Sequence, residues 1–328
     1  MRVLAAPDKF RGTATAAEVA RAVAAGAATA GARTNEVPLS DGGEGFLEVF
    51  GGANRSTVVR GPLGEQVDAG WRLDGRTAVI EMARASGLEL VGGPDGNDPI
   101  AADTTGTGEL ISAALDAGAR RILVGHGGSA TTDGGLGAVK ALFPTARLRG
   151  VELVAAVDVD TRFVDAAGRF AAQKGATPAQ VELLRRRLER LAQVYRDEHG
   201  IEVDQLAGSG AAGGLAGGLA SVGAVIEPGF DLISDELDLV NAVERVDLVV
   251  TGEGFVDASS FDGKVVGGIV DLGAELGVPV LVVAGEVFDG VGDHVDAVSL
   301  VERFGRDRAM SDPLGCVVET VAHRLAHL

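Results

Sequence analysis

The two ends of this sequence share one texture, and the middle has another. Residues 2–6 (RVLAA), 34–39 (TNEVPL), 246–251 (VDLVVT), 279–284 (PVLVVA) and 295–300 (VDAVSL) are short apolar runs rich in β-branched residues. Stretches with helical spacing at 15–30, 263–277 and 311–327 alternate with them. Near-continuous apolar strands need cover on both faces, which the helices between parallel strands supply. The junction ELGVPVLVVAGE is built for that switch: Gly277 stops a helix and Pro279 opens a strand. In the middle, residues 56–82 alternate and carry Pro-Leu-Gly and Asp-Gly-Arg turns, which predicts an antiparallel meander. Glycine-rich helices follow over about 104–225, with strands at 121–124 and 152–157 and a helix from about 178 to 198. In that helix Val181, Leu184, Leu188, Leu191 and Tyr195 form an apolar stripe, while Arg185 to Arg187 and Glu189 lie largely off it on a solvated face. The expectation is a two-domain α/β protein: a discontinuous domain from residues 1–54 plus 228–328 and a mixed α/β domain inserted over 55–227. A cleft between two such domains is a usual place for a ligand.

Charge narrows the partners. The 328 residues carry a formal net charge of −18, which argues against nucleic acid or an anionic membrane, since both are bound through lysine and arginine. A small anion remains possible to hold, because backbone amides, a few cations and Mg²⁺ can offset global repulsion locally. No apolar run approaches the roughly 18 residues of a membrane span. The short apolar start before charges appear reads as a first strand and lacks the longer core of a secretion signal, so a cytoplasmic location is expected. The single cysteine, Cys316, excludes an internal disulfide framework and leaves no thiolate metal cluster.

Several nucleotide and hydrolase motifs are missing. No G-x-x-x-x-G-K-[ST] loop is present; Lys264 follows Gly263, but Val265 comes next. GSGAAG at 208–213 matches G-x-G-x-x-G only weakly, since EVDQLA before it is a poor strand. There is no G-x-S-x-G, H-E-x-x-H or Cys–His pairing, and His126 has no second histidine near it with which to hold a metal. What remains is a set of loops that place glycine beside polar or charged residues: APDKFRGT (6–13), LSDGGEG (39–45), TTGTGE (104–109), GHGGSATTDGG (125–135), DVD (158–160), QKGA (173–176), AGSGAAGG (207–214) and TGEGFVDASSFDGK (251–264). Several follow an apolar strand or precede a helix, where free amides favour anions. Five of the eleven residues in 125–135 are glycine, and each costs roughly 0.5–1 kcal/mol in regular structure, so something must come close to that backbone. A packed helix contact is an equally good reading for 207–219, whereas Ser129, Thr131, Thr132 and Asp133 favour a ligand at 125–135.

Taken in order, APDKFRGT, VPLSDGGEG, EMARASGLEL, TTGTGEL, GGSATTDGG, DVD, QKGATP, GAAGGL and TGEGFVDASSFDGK resemble the bacterial glycerate kinase family over almost the whole chain. The resemblance implies a flavodoxin-like domain with a family-specific second domain, and ATP-dependent phosphorylation of D-glycerate to 2-phosphoglycerate. A kinase for another small hydroxy acid and a non-catalytic sugar-acid or nucleotide sensor are the alternatives. In the family the first motif usually reads P-D-S-F-K-G-S, so Lys9, Arg11 and Thr13 stand at its variable places. Members also usually carry several dozen more residues between Leu142 and Val151, and a Gly-Pro where Ala171 and Ala172 stand here. Phosphoryl transfer asks a protein to position two anions and neutralise developing charge. On that basis Gly127, Gly128, Ser129, Thr131, Asp133, Gly208, Gly210 and Gly213 are expected to face the triphosphate. Asp158 and Asp160 are expected to hold Mg²⁺, and Lys174 to steady the transferred group. Lys9 or Arg11 would clamp the glycerate carboxylate beside Asp8, Asp41 would accept the hydroxyl proton, and Glu253, Asp257 and Lys264 are further candidates.

Overall fold

The computed structural model describes residues 1–261, 263–288 and 295–327. Its strands, in chain order, are β1 (Arg2–Ala5), β2 (Arg33–Glu36), β3 (Arg55–Arg60), β4 (Gln66–Asp74), β5 (Thr77–Glu81), β6 (Arg121–Gly125), β7 (Glu152–Val157), β8 (Val225–Pro228), β9 (Leu248–Thr251), β10 (Phe255–Val256), β11 (Val280–Ala284), β12 (Glu286–Val287) and β13 (Asp296–Ser299). The chain divides into two compact units, Met1–Asp41 with Phe230–Leu328, and Gly42–Gly229.

In the terminal unit the main sheet runs β13-β11-β9-β1-β2, and every pair is parallel. Counted within this five-stranded sheet, the order is second, first, third, fourth, fifth, which is the flavodoxin-like order. Alternation along the strands decides which helix covers which face. In β11, Leu281 and Val283 pack with residues of the helices Ala16–Thr29 and Pro313–Leu325. Val282 and Ala284 face the other way, onto the helix Val265–Leu276 through Val266. Helix Ala16–Thr29 starts where Thr15 and Glu18 close a reciprocal capping box, the Thr15 amide donating to Glu18 Oε2 at 2.9 Å, worth about 1 kcal/mol for the Thr15 cap. Helix Val265–Leu276 ends at Gly277, whose φ of +70° costs least without a side chain.

The inserted unit holds a six-stranded sheet ordered β3-β4-β5-β6-β7-β8. β3, β4 and β5 form the antiparallel meander, joined at Asp74–Thr77 by a tight turn, and β5 to β8 continue in parallel. Its main core collects Trp71, Ile80, Leu110, Ile122 and Leu215. A second core forms where the helix Pro178–His199 lays Leu184, Leu188, Leu191 and Tyr195 against Phe163. Pro178 at the first turn, a Thr177–Gln180 capping box and Gly200 in the left-handed region define that helix. On its outer side Arg185 pairs with Glu182 and Glu189.

The units exchange chain at Asp41/Gly42 and Gly229/Phe230, whereas the sequence reading drew the lines at 54/55 and 227/228. Residues 42–54 join the inserted unit because the Leu47 amide donates to the buried Glu81 at the end of β5 at 3.2 Å. Both ends of the inserted unit lie side by side: a methyl group on Gly42 would stand 3.1 Å from Gly229 Cα. Among the described residues no helix is long and apolar enough to cross a membrane.

Candidate active site

Ligands of open parallel sheets bind outside the carboxyl ends of the strands where the order reverses. In the terminal unit that point lies between β1 and β9, and the chain knits it tightly. The Asp8 amide donates to the Gly252 carbonyl at 2.9 Å, Thr251 Oγ1 to Ala6 O at 2.7 Å, and the Leu39 amide to Pro7 O at 2.9 Å. Asp8 follows β1, Asp41 closes the segment after β2, and Glu253 follows β9. Lys9 lies between the first two: its Nζ is 3.4 Å from Asp8 Oδ1 and 3.7 Å from Asp41 Oδ1. Asp8 Oδ1 also accepts the Lys9 amide at 2.6 Å. Glu253 Oε1 is buried with no hydrogen-bond partner among the described residues.

The electrostatics follow from that crowding. Burial first, and the Asp41 charge second, push the Asp8 carboxyl up to about 7, against the pull of Lys9. Burial works to lower Lys9, but Asp41 and Asp8 outweigh it and hold the ammonium above the ordinary lysine value. Burial likewise raises Glu253. One ammonium among three carboxyl groups leaves acceptor capacity for a polyhydroxy ligand.

The remaining candidates of this unit border that cluster, Arg11 acting on Lys9 and Lys264 on Glu253 through their charges. Arg11 is exposed and lines a small hollow of about 30 Å³ with Gly254, Phe255, Glu286 and Arg306. Asp257 lies on an exposed turn, where its Oδ1 accepts Ser259 Oγ at 2.7 Å and the Ser259 amide at 2.8 Å, and hydrogen bonding to Ser259 draws its pKa down. Lys264 Nζ reaches Ser259 Oγ at 3.4 Å. Asp262 of that motif lies outside the described residues.

In the inserted unit the stretch after β6 is the organising loop, and much of what it touches is protein. A methyl group on Gly127 would stand 2.5 Å from Gly43 Cα, and one on Gly213 would overlap the Thr131 carbonyl oxygen. Side chains on Gly208 and Gly210 would run into Val157 and the Arg162 carbonyl. Glycine in 125–135 and 207–214 is therefore hemmed in by neighbouring backbone and side chains of the same unit, as the packing alternative for 207–219 allowed. Between Gly210 and Leu215 the helical path is broken, with Ala212, Gly213 and Gly214 all at positive φ. Gly128 differs: it takes a φ of +63°, its nearest neighbour is the Ala83 side chain at 3.4 Å, and among the described residues the Gly127, Gly128 and Ser129 amides find no acceptor. Those three N–H groups, on an exposed Gly128 flanked by half-buried Gly127 and buried Ser129, could serve as donors to an anion.

Asp133 and Lys174 work inside the unit. The Asp133 carboxylate accepts Thr104 Oγ1 at 2.8 Å and the amides of Thr104, Gly137 and Gly135 at 3.0, 3.0 and 3.2 Å. It accepts amides at the start of the helix Leu136–Ala141 and ties them to the TTGTGE segment through four donors. Burial raises its pKa against those bonds. Lys174 is buried, and its Nζ donates to the Thr131 carbonyl at 2.5 Å. Burial brings its pKa down to about 7, with Asp133 opposing. Ser129 Oγ is 3.0 Å from Thr131 Oγ1 and accepts the Thr131 amide at 3.0 Å. Asp158 is half-buried after β7 and Asp160 exposed; among the described residues no three carboxylate, histidine or cysteine side chains form a metal cluster.

Sequence reasoning passed over two supports of this loop. Asn97 Nδ2 donates to Ala130 O at 3.0 Å and to Lys174 O at 2.9 Å, joining the two candidate segments. Tyr195, read as core, also donates from its hydroxyl to Gly134 O at 3.0 Å. His126 is buried, held neutral by burial with a pKa near 4; Nδ1 meets Val124 O at 2.8 Å, while Nε2 lacks a partner.

Comparison with known proteins matches residues 3–143 and 144–323 to the glycerate kinase family. The glycerate 2-kinase of Escherichia coli K12 is 37% identical over 332 residues, covering 89% of this chain and 87% of that protein. The glycerate kinase of Bacillus subtilis 168 is also 37% identical, with coverage of 88% and 85%. A crystal structure of a candidate glycerate kinase 2 from Salmonella typhimurium LT2 superposes with a TM-score of 0.83 at 34% identity, over 100% of this chain and 98% of that one.

Proposed function

Since this chain belongs to the glycerate kinase family, we propose that it transfers the terminal phosphoryl group of ATP to D-glycerate, forming 2-phosphoglycerate and ADP. The observation that carries the reading is the meeting of Asp8, Lys9, Asp41 and Glu253 at the strand ends where the sheet order reverses, with one Glu253 oxygen buried and unpartnered.

In the terminal unit the glycerate carboxylate lies against Lys9, and its hydroxyls meet Asp41 and the free oxygen of Glu253. Asp41 accepts the proton of the attacking hydroxyl; the hydroxyl oxygen bonds to the terminal phosphorus as the bond from that phosphorus to the bridging oxygen of ADP breaks. Asp8, buried and half-protonated near neutral pH, limits the negative charge around Lys9. In the inserted unit the amides of Gly127, Gly128 and Ser129 receive phosphate oxygens. Lys174 acts from beneath, fixing the loop through Thr131 and adding positive charge behind it. Asp158 and Asp160 fit Mg²⁺, a hard cation that takes one or two carboxylates and completes its shell with phosphate oxygens and water; bound there, it would neutralise phosphate charge.

The test is ADP release by a coupled assay with D-glycerate and a panel of C3 to C6 hydroxy acids, with phosphorus NMR of the product. D-glycerate should give the highest kcat/KM and a 2-phospho ester. Melting shifts with glycerate or ATP but no ADP formation would replace the kinase reading with a sensor.

A further inference from the structure

The opposite ends of the same three strands carry a second concavity. Arg2 opens β1, Arg33 opens β2 and Arg245 lies just before β9, and together with Thr34, Asn35 and Asn241 they line an open cavity of about 470 Å³. The strands are only four residues long, about 13 Å at 3.3 Å per residue, so this hollow sits one strand length from the Asp8 and Glu253 end. None of its residues serves the proposed reaction.

Its charge is unusual for this molecule. In a chain of net charge −18, three exposed arginines line one depression. Only Arg2 is engaged, by Asp247, whose Oδ1 lies 3.4 Å from its Nη2. Arg33 and Arg245 form no salt bridge among the described residues. The acid within the lining, Asp238, is occupied: both its oxygens accept Asn241 Nδ2, at 2.7 and 2.8 Å. Asp238 also holds a left-handed backbone, φ +52°, a conformation that is strained for a non-glycine residue. Thr34 Oγ1, on the cavity wall, is buried and has no hydrogen-bond partner.

Two guanidinium groups that form no salt bridge among the described residues, in a hollow also lined by Thr34 and Asn35, suit a small dianion, since the planar fork of arginine matches phosphate and carboxylate oxygens. The volume admits a molecule of three to six carbons. We propose that this cavity is a binding site for a small phosphate monoester, separate from the site of phosphoryl transfer. Arg33 and Arg245 would take the phosphate, while Thr34 and Asn35 meet hydroxyls of the attached carbon chain.

Glycerol 3-phosphate and inorganic phosphate serve as probes, because neither is a substrate or product of the proposed glycerate reaction. Calorimetric titration of the full chain at low salt should give saturable binding of glycerol 3-phosphate. The Arg33→Ser/Arg245→Ser variant should lose at least tenfold in affinity, and a Lys9→Met variant should retain it. The KM for glycerate should stay within about twofold in the double variant, because both arginines lie away from the Lys9 cluster. Weaker binding of inorganic phosphate would credit Thr34 and Asn35 with reading the carbon chain. Should the double variant fail to fold, Arg245→Ser alone carries the same expectation of a several-fold loss. Absence of saturable binding, or equal affinity in the variants, overturns the proposal; binding lost only with Lys9→Met would place the phosphate at the transfer site instead.

Discussion

Asp41 and Asp8 both follow strands of the terminal unit and both touch Lys9, yet their surroundings give them different work. Asp8 is the more deeply enclosed, its side chain 6% exposed against 14% for Asp41, so Asp41 is the one assigned to the substrate hydroxyl. Asp41→Asn should therefore lower kcat by roughly 10²-fold or more while nucleotide affinity, read by calorimetry, changes little; equal losses in both would remove Asp41 from the proton-accepting role. Lys174 and Asp8 also make opposite demands on stability. Lys174 has a folded-state pKa of about 7, against about 10.4 in an unfolded chain. Between those values the unfolded state holds more protons, so stability rises with pH. Asp8 titrates near 7 when folded and near 3.9 when unfolded, so the native state holds the extra proton and stability falls as pH climbs through that lower window. Urea unfolding at pH 7 and pH 10 should show a gain of about 1 kcal/mol or more from Lys174, absent in Lys174→Met; an unchanged slope in the variant would mean the amine is not desolvated as its surroundings imply. These distinctions were hidden from the sequence. APDKFRGT and LSDGG declare themselves as polar residues after apolar runs, but nothing in TTDGG tells that Asp133 is already satisfied by Thr104 and Gly137. That is settled by which loops the sheet brings together.

At the scale of elements, the loop after β6 is a layered object. Gly213 and Gly214 press on it from one side, Tyr195 and the leucines of Pro178–His199 support Gly134, and Asn97 holds Ala130 and Lys174 together. Gly213→Ala should cost more than about 2 kcal/mol, combining a left-handed φ with overlap on the Thr131 carbonyl. Gly118→Ala, also at positive φ but with nothing near it, should cost only about 1 kcal/mol. Comparable losses in denaturant unfolding would show that backbone approach is not what glycine provides at 213. Most strands, the meander and the long helix were legible, because a period of two or of 3.6 is written locally; the short β8, β10 and β12 carry too few residues to show a period. The broken path at Ala212–Gly214 was not: a run such as GAAGGLAGG suits a tight helix and a kinked one alike, and Thr131 chooses between them from eighty residues away.

For the molecule as a whole, the alternation of apolar strands with helices at both termini was enough to anticipate an interrupted parallel sheet, since such strands are stable only when covered on both sides. Its order, second-first-third-fourth-fifth, was implied by the family resemblance and is what the strands adopt. The excess of acid makes a further statement. Nucleotide and glycerate are both anions approaching a chain of net charge −18, so screening should help them: kcat/KM for the nucleotide should rise severalfold between about 10 and 150 mM salt, as the Debye length falls from roughly 30 to 8 Å. A fall would mean that nearby cations, and not the global field, govern the encounter. Finally, Gly42 and Gly229 stand shoulder to shoulder, so the strand of history between them can be lifted out like a cassette. A gene in which a few glycines join Asp41 to Phe230 should still encode a cooperatively melting flavodoxin-like protein, and the excised 42–229 piece should fold beside it; such a pair of halves would suggest an ancient binding module that gained its chemistry by accepting a guest.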